Sequence, residues 1–222
     1  MPAVTRLTRL AFVNCYLVPE DDGLTLIDAM LPRSAKKILR ASDDLAGSIV
    51  RIVLTHAHMD HVGSLDELAS ELPGVEVVIG ARDARLLAGD MSTDQGEIDR
   101  KITGSFKKLA TTPTRTVVEG ERIGSLEAIS APGHTPGHMA YIDTRDRTLF
   151  CGDTFATLGG VAVSSKPNPR FPLVYMGTWD RAGNTASARK LRALDPARLA
   201  PGHGKIVESP GAAMDRAIAR VS

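Results

Sequence analysis

The sequence of 222 residues predicts an α/β fold in which helices pack in layers against sheets. Apolar, β-branched runs of strand length alternate with amphipathic stretches of helix length through residues 12–87, and strand-like runs return after residue 115. All six histidines follow predicted strands, and strand ends are where ligands bind in layered α/β folds. Because no low-complexity tract or linker interrupts the pattern, we expect residues 1–222 to form one domain.

The N-terminal half alternates strands with helices. Its predicted strands are Val4–Leu10, Phe12–Val18, Leu24–Asp28, Val50–Leu54 and Val75–Ile79. Its predicted helices are Ser34–Leu45, Ser64–Leu72 and Ala81–Leu87. Ile38, Leu39 and Leu45 would form the apolar face of the first helix. Ser64 and Glu67 have the spacing of a capping box at the start of the second.

The C-terminal half begins with a change of pattern. Between Ala88 and Pro113 the strand signal vanishes, and this insertion is predicted to be helical around Glu97–Leu109. The strands that follow are predicted over Thr116–Val118, Leu126–Ser130, Ala140–Asp143, Thr148–Cys151 and Arg198–Ala200. An irregular stretch, Thr154–Asp180, precedes two predicted helices, Asn184–Leu194 and Pro210–Arg220.

The charge balance excludes several classes of partner. Lys and Arg number 27 against 26 Asp and Glu, so no net field would recruit nucleic acid or an anionic membrane. No run reaches the ~18 apolar residues of a membrane span. Cys15 and Cys151 lie inside strand-like runs and are expected to be buried free thiols, as in a reducing compartment. We therefore expect a cytoplasmic protein whose partner is a small-molecule substrate, with the oligomeric state left open.

Metal-ligand side chains are concentrated in Thr55–Val62, directly after the strand Val50–Leu54. His56 and His58 can point the same way off extended backbone, because side chains alternate along a strand. Asp60 and His61 must then be brought round by a turn. Three of the six histidines fall within six residues, and this density favours a metal site over a merely polar loop.

Further candidate ligands follow later strands. The tripeptide Pro-Gly-His ends at His134, His138 and His203, and each Pro-Gly forces a turn that presents the next side chain. Asp153 ends the strand Thr148–Cys151, and a carboxylate can bridge two metal ions. Two divalent ions with open positions need about seven protein ligands, and the sequence offers five or six histidines plus carboxylates.

Taken together, these residues resemble the ligand series of the metallo-β-lactamase superfamily of αββα hydrolases. The motif His56-x-His58-x-Asp60-His61, followed by His134, Asp153 and His203, matches that series in type and order. The resemblance spans the whole chain and includes Asn14–Val18 and Ala131–His138. It implies a four-layer αββα sandwich.

The resemblance also implies a binuclear site. One ion would be held by His56, His58 and His134, and the other by Asp60, His61 and His203. Asp153 would bridge the two ions together with a hydroxide, which acts as the nucleophile, and Asp60 would be catalytic in orienting it and shuttling its proton. Two Zn²⁺ per chain are expected, although Fe or Mn also suits a donor set without thiolate. His138 is a ligand, a support for a ligand or a structural hydrogen-bonding residue of its turn, and support is expected because the seven matched ligands already fill two sites.

Because of its bridging Asp153, the chain resembles the branch that contains glyoxalase II and lactonases more than it resembles classical β-lactamases, which typically lack this residue. The resemblance therefore implies hydrolysis of a small ester, thioester or lactone. Lactonases usually carry a Tyr shortly after the bridging Asp, where this chain has Phe155 and Ala156. One alternative is an oxidoreductase resembling persulfide dioxygenases, with one Fe held by His56, His134 and Asp153, and another is a metal-binding protein without catalysis.

Substrate recognition is expected from the two segments that lack strands. Four aromatic residues lie between positions 155 and 179, namely Phe155, Phe171, Tyr175 and Trp179. They would either wall an apolar pocket or anchor the segment to the body. Ala88–Pro113 would form a flap on the other side of the pocket. Tyr175 is a candidate proton donor to a leaving group.

Overall fold

The first sheet of the protein carries the strands of the N-terminal half. The computed structural model describes residues 4–221. The strands of this sheet are β1 Thr5–Arg9, β2 Val13–Glu20, β3 Gly23–Ile27, β4 Ile49–Leu54, β5 Glu76–Gly80 and β6 Arg115–Val117. They lie side by side in chain order, with β1 to β3 antiparallel and β3 to β6 parallel. The parallel strands therefore end at the same edge of the sheet.

The second sheet carries most of the later strands. They are β7 Arg122–Ile123, β8 Leu126–Ser130, β9 Met139–Asp143, β10 Thr148–Gly152, β13 Arg198–Pro201 and β14 Val207–Glu208. Their order across the sheet is β14-β13-β10-β9-β8-β7, and β10 pairs with β13 in parallel. A separate ribbon is formed by β11 Phe155–Ala156 and β12 Ala162–Val163.

Helices cover the outer face of each sheet. The helices of the described residues are α1 Ala35–Asp44, α2 Met59–Val62, α3 Leu65–Glu71, α4 Ala81–Leu87, α5 Leu173–Gly177, α6 Arg181–Ala193 and α7 Gly211–Ala219. Apolar residues of α1, α3 and α4 pack on the first sheet, and those of α6 and α7 pack on the second. No helix within residues 4–221 combines the length and apolar character needed to cross a bilayer.

The alternation of side chains along the strands produces the layers. On β2, Cys15 and Leu17 face the helices, whereas Tyr16 and Val18 face the second sheet. The inner faces of the two sheets meet in one apolar cluster, in which Tyr16 contacts Phe150 at 5.2 Å between ring centroids. The predicted αββα sandwich is confirmed. Both cysteines are buried and free, as predicted.

Two local predictions about helices are wrong. Leu45, assigned to the apolar face of α1, is exposed, because α1 ends at Asp44 and the chain turns away. The capping box at Ser64 does not form. The Ser64 hydroxyl instead donates to the Leu31 carbonyl at 2.8 Å and accepts the Ser34 amide at 2.7 Å. Ser64 thus joins α3 to the segment before α1.

The predicted helix over Glu97–Leu109 is also wrong. The segment from residue 88 to 113 is irregular, and several of its backbone carbonyls accept hydrogen bonds from the body of the protein. The Arg100 carbonyl accepts the indole N–H of Trp179, and the Ser105 carbonyl accepts the Met59 amide. Conversely, Thr154–Asp180 contains β11, β12 and α5, although it was predicted to be irregular.

Candidate metal centre

The seven predicted ligands lie together at one edge of the sandwich. His56 and His58 follow β4, and Asp60 and His61 lie on the short helix α2. The remaining three, His134, Asp153 and His203, follow β8, β10 and β13. Strand ends of both sheets thus converge on one small volume. The predicted loop after β4 is in part helical, and this turn swings Asp60 and His61 round.

One group, the first triad, consists of His56, His58 and His134. The distance from His58 Nδ1 to His56 Nε2 is 3.1 Å, and the distance to His134 Nε2 is 3.0 Å. Tetrahedral Zn²⁺ holds imidazole nitrogens roughly 3.3 Å apart, given Zn–N distances of about 2.0–2.1 Å. The spacing of the first triad therefore fits a small cation.

A second group, the second triad, consists of Asp60, His61 and His203. Asp60 Oδ2 lies 3.3 Å from His203 Nε2 and 3.9 Å from His61 Nε2. The Asp153 carboxylate lies between the two triads. Its Oδ2 is 3.3 Å from His134 Nε2 and 3.1 Å from His203 Nε2. A carboxylate in that place has an oxygen available to each triad.

Hydrogen bonds on the outer side of each ring orient the five histidines. His61 Nδ1 donates to Asp28 at 2.8 Å, and His203 Nδ1 donates to the Phe12 carbonyl at 3.1 Å. His58 Nε2 donates to the Thr103 carbonyl at 3.2 Å. Because these acceptors are carbonyl or carboxylate oxygens, the outer nitrogen carries the proton and the inner nitrogen can offer its lone pair.

Threonines do the same for the remaining two rings. Thr55 Oγ1 donates to the Asp28 carboxylate at 2.9 Å and so accepts from His56 Nδ1 at 3.0 Å. Thr178 Oγ1 donates to the Val174 carbonyl at 2.8 Å and accepts from His134 Nδ1 at 3.0 Å. Oriented imidazoles of this kind are typical of metal ligands.

Two buried atoms at the centre have no hydrogen-bond partner, namely His61 Nε2 and Asp153 Oδ1, 3.4 Å apart. Leaving such atoms unpaired is costly, and a cation between them would satisfy both. Gly202 is required beside them, since a Cβ there would lie 2.4 Å from Asp153 Oδ1. The residues present therefore fit a metal pair.

The two triads differ in proton affinity. Burial lowers the pKa of all three histidines of the first triad, so they are neutral. Burial opposes protonation of His61 and His203 too, but nearby carboxylates, Asp153 foremost, outweigh it. They raise the pKa of His203 to about 9 and that of His61 well above its usual value. Burial would raise the pKa of Asp60, but His61 and His203 hold it below its usual range.

Two further carboxylates of the site escaped the sequence prediction. Asp28, at the end of β3, accepts from Thr55 and His61, and its place after a strand was a usable signal. Asp83 is buried in the first turn of α4 and accepts from Ala57 N, Thr135 Oγ1 and Gly137 N. No sequence pattern pointed to Asp83, because its partners are 26, 52 and 54 residues away.

His138 lies beside the two triads. Its Nε2 accepts the backbone N–H of Asp153 at 3.0 Å, and its Nδ1 is buried without a partner. Burial lowers the pKa of His138 to about 3. The ring therefore holds the backbone that carries Asp153 and does not direct a lone pair at the centre.

A cleft of about 370 Å³ opens above the site. Phe171 lines it, whereas Phe155 and Trp179 are buried in the apolar clusters that anchor their segment. Tyr175 is not among the lining residues, and the Arg181 guanidinium lies over its ring at 4.1 Å. One of the four aromatic residues thus walls the pocket. Gly104 and Ser105, from the segment predicted to be a flap, also line the cleft.

Sequence comparisons show which known proteins this chain is similar to. The sequence profile described as metallo-beta-lactamase superfamily matches residues 8–203. An uncharacterized protein of Bacillus subtilis (strain 168), YobT, is 47% identical over 207 residues, covering 93% of this chain and 89% of that protein. A hydroxyacylglutathione hydrolase of Rhodospirillum rubrum is 38% identical over 132 residues, covering 58% of this chain and 42% of the enzyme.

The fold also matches a solved structure. The crystal structure of TTHA1623 in a di-iron-bound form superposes with a TM-score of 0.69 and is 28% identical in sequence. The match covers 95% of this chain and 96% of that one. The likeness therefore extends over nearly the whole of both chains.

Proposed function

Because the chain belongs to the metallo-beta-lactamase superfamily, we propose that it is a metal-dependent hydrolase of a small ester, thioester or lactone. The observation that carries this proposal is the pair of triads on either side of Asp153. A mononuclear protein would need only one of them. Apart from Asp60, both are built from buried side chains, and both open onto the same cleft.

In this proposal the first triad holds one ion, the second triad holds the other, and Asp153 lies between them. Two bound ions would lower the pKa of a shared water and supply a hydroxide nucleophile near neutral pH. The chain's residues position the rest. The outer hydrogen bonds fix the rings, so that little reorganisation is needed when substrate binds.

Asp60 is the proposed catalytic residue among the ligands. Its side chain is 31% exposed and lines the cleft, whereas the other six ligands are almost completely buried. A carboxylate at that boundary can orient the nucleophile and take its proton towards solvent. His61 and His203 hold the pKa of Asp60 below its usual range against the effect of burial, so its carboxylate is ionised and can accept a hydrogen bond from the nucleophile.

We propose Zn²⁺ in both sites, because all donors are nitrogen or oxygen and zinc accepts both. Cys151 offers no thiolate, since its Sγ faces backbone carbonyls and burial raises its pKa. Iron is the alternative metal, and TTHA1623 has been crystallised with two iron ions. The alternative oxidoreductase, with one Fe on His56, His134 and Asp153, would leave the second triad without a role.

Metal analysis and a substrate panel test the proposal together. We expect about two Zn²⁺ per chain after purification without added metal, and turnover of at least one thioester, lactone or aryl ester at neutral pH. His58→Ala and Asp153→Ala should each lower kcat/KM by at least about a hundredfold, by loss of a ligand. Asp215→Ala, an exposed carboxylate on α7, is the control. A single Fe per chain, or full activity in either ligand variant, would overturn the proposal.

A further inference from the structure

The walls of the cleft above the triads are apolar. Beside the proposed ligands, its larger lining side chains are Phe12, Leu31, Met59, Phe171, Leu173, Val174 and Met176. The rings of Phe12 and Phe171 pack together at 5.1 Å, and Phe171 lies 5.1 Å from the ring of His203. One apolar wall therefore runs directly up to the second triad. An alkyl chain attached to a substrate carbonyl at the site would lie along this wall.

Two of these side chains are unusually exposed. Leu173 is 56% exposed and Met176 is 66% exposed, both on α5 at the mouth of the cleft. Elsewhere in the described part of the chain, few large apolar side chains are this open to water. Clustered apolar exposure beside a cavity is typical of a surface that a ligand covers, and Met adapts readily to different ligand shapes.

The charges of the cleft complete the description. Among the described residues, no Lys or Arg lines it, and its charged groups all belong to the proposed ligand set. A carboxylate on the substrate, away from the reacting carbonyl, would lose its hydration without meeting a cation. Such an unpaired charge is strongly disfavoured in an apolar environment.

We propose that the substrate is a neutral acyl ester or lactone whose apolar acyl chain lies between the Phe12–Phe171 wall and α5. This inference rests on the proposed hydrolytic function and specifies its substrate class. It also sets the chain apart from enzymes whose substrate is a glutathione thioester, because glutathione carries two carboxylates that this cleft does not pair.

The first experiment measures chain-length dependence with the zinc-loaded protein. p-Nitrophenyl esters from acetyl to hexanoyl add four methylenes to one reacting group. A fully buried methylene is worth about fourfold in binding, and the cleft is open on one side, so we expect about twofold per methylene. The value of kcat/KM should then rise about fifteenfold from acetyl to hexanoyl. A flat or falling series overturns the inference while leaving the hydrolase proposal in place.

The second experiment measures binding without turnover. 2-Octanone and 7-oxooctanoate present the same ketone and carbon chain length, but only the latter ends in a carboxylate. Affinity measured by ligand-observed NMR on the metal-free protein should favour 2-octanone by at least about tenfold, because the carboxylate then meets neither a metal ion nor a Lys or Arg side chain lining the cleft. If the ketone binds in this way but no ester is hydrolysed, the cleft inference is supported and the hydrolase proposal fails. Equal affinities overturn the cleft inference.

A charge inserted at the mouth provides the matched variant. Leu173→Arg should raise the affinity for 7-oxooctanoate relative to 2-octanone by at least about fivefold, because the guanidinium can pair with the carboxylate. Val118→Arg is the control, since Val118 is 59% exposed and does not line the cleft. The inference is overturned if Leu173→Arg leaves the ratio unchanged, or if Val118→Arg shifts it equally.

Discussion

Asp83 joins the two loops that carry the first triad, and its substitution provides a quantitative test of the site. Its Oδ2 accepts from Ala57 N at 3.0 Å and Thr135 Oγ1 at 2.7 Å, and its Oδ1 accepts from Gly137 N at 2.7 Å. Ala57 lies between His56 and His58, and Thr135 follows His134. A single buried carboxylate thus sets the distance between the loops.

In Asp83→Asn the amide oxygen can keep some of these bonds, but the NH₂ group must face a donor. Leaving one buried donor unpaired costs about 1–3 kcal/mol of unfolding free energy. Asp83→Ala would leave two backbone N–H groups unpaired and cost about 2–6 kcal/mol. Looser loops should also lower metal affinity at the first triad by about 10–100-fold, the usual effect of losing an outer hydrogen bond.

The cost of Asp83→Asn should depend on pH. Burial outweighs the three hydrogen bonds and raises the pKa of Asp83 from 3.8 to about 6. Because folded Asp83 binds its proton more tightly than unfolded Asp83, the proton adds folding stability that is complete below about pH 4 and is lost as the pH rises through about 6. In urea unfolding of the metal-free proteins, the unfolding free energy lost by Asp83→Asn relative to the wild type should therefore be about 1 kcal/mol larger at pH 5 than at pH 7.5.

The measurements are urea unfolding and chelator competition with metal analysis. Asp66→Asn is the matched control, because Asp66 also accepts three hydrogen bonds, from Ala110 N, Thr111 N and Thr111 Oγ1, away from the triads. It should lower stability without changing metal affinity. The reasoning is refuted if Asp83→Asn binds metal within about twofold of the wild type, or if Asp66→Asn weakens binding equally.

Three more predictions follow from the same geometry. Apparent affinity for the second ion should rise at least about tenfold per pH unit up to about pH 9, because His203 must release a proton and its pKa is raised to about 9. Isothermal titration of the metal at several pH values checks this, and a pH-independent affinity contradicts it. Removal of the metal by a chelator should lower the Tm by about 10 °C, as expected for the loss of about 4 kcal/mol of binding free energy in a chain of this size. Calorimetry with and without EDTA measures the shift, and an unchanged Tm would count against a bound metal. Gly104→Ala should reduce kcat/KM at least about tenfold, because its Cβ would lie 1.8 Å from His58 Nε2. Gly120→Ala is its control, with positive φ but no neighbour within 4 Å, and equal losses in both would assign the effect to backbone strain.

The fold and the candidate ligands could be predicted to different extents for different reasons. The β-branched run Val50–Leu54 and the strand-like run Phe12–Val18 are local signals, and the structure has strands at both places. Residue type and position after strands marked the candidate ligands, and the resemblance to a known ligand series implied which seven of them form the set. The capping box at Ser64 and the helix over Glu97–Leu109 were wrong, since groups distant in sequence took the hydrogen bonds that local structure would have used.

By itself, the sequence determined the layered α/β pattern and a set of candidate metal ligands, because strand periodicity and ligand chemistry are properties of short segments. The αββα arrangement and the choice of seven ligands followed from the resemblance to a known ligand series. Only the tertiary structure decided how those residues are held and what faces them. Asp83 and Thr178 acquire their roles from partners dozens of residues away, as the Pro-Gly-His loop containing His134 meets α4 and the segment after α5. The apolar cleft likewise forms only where Phe12 meets Phe171, because packing between distant segments determines which side chains share a surface.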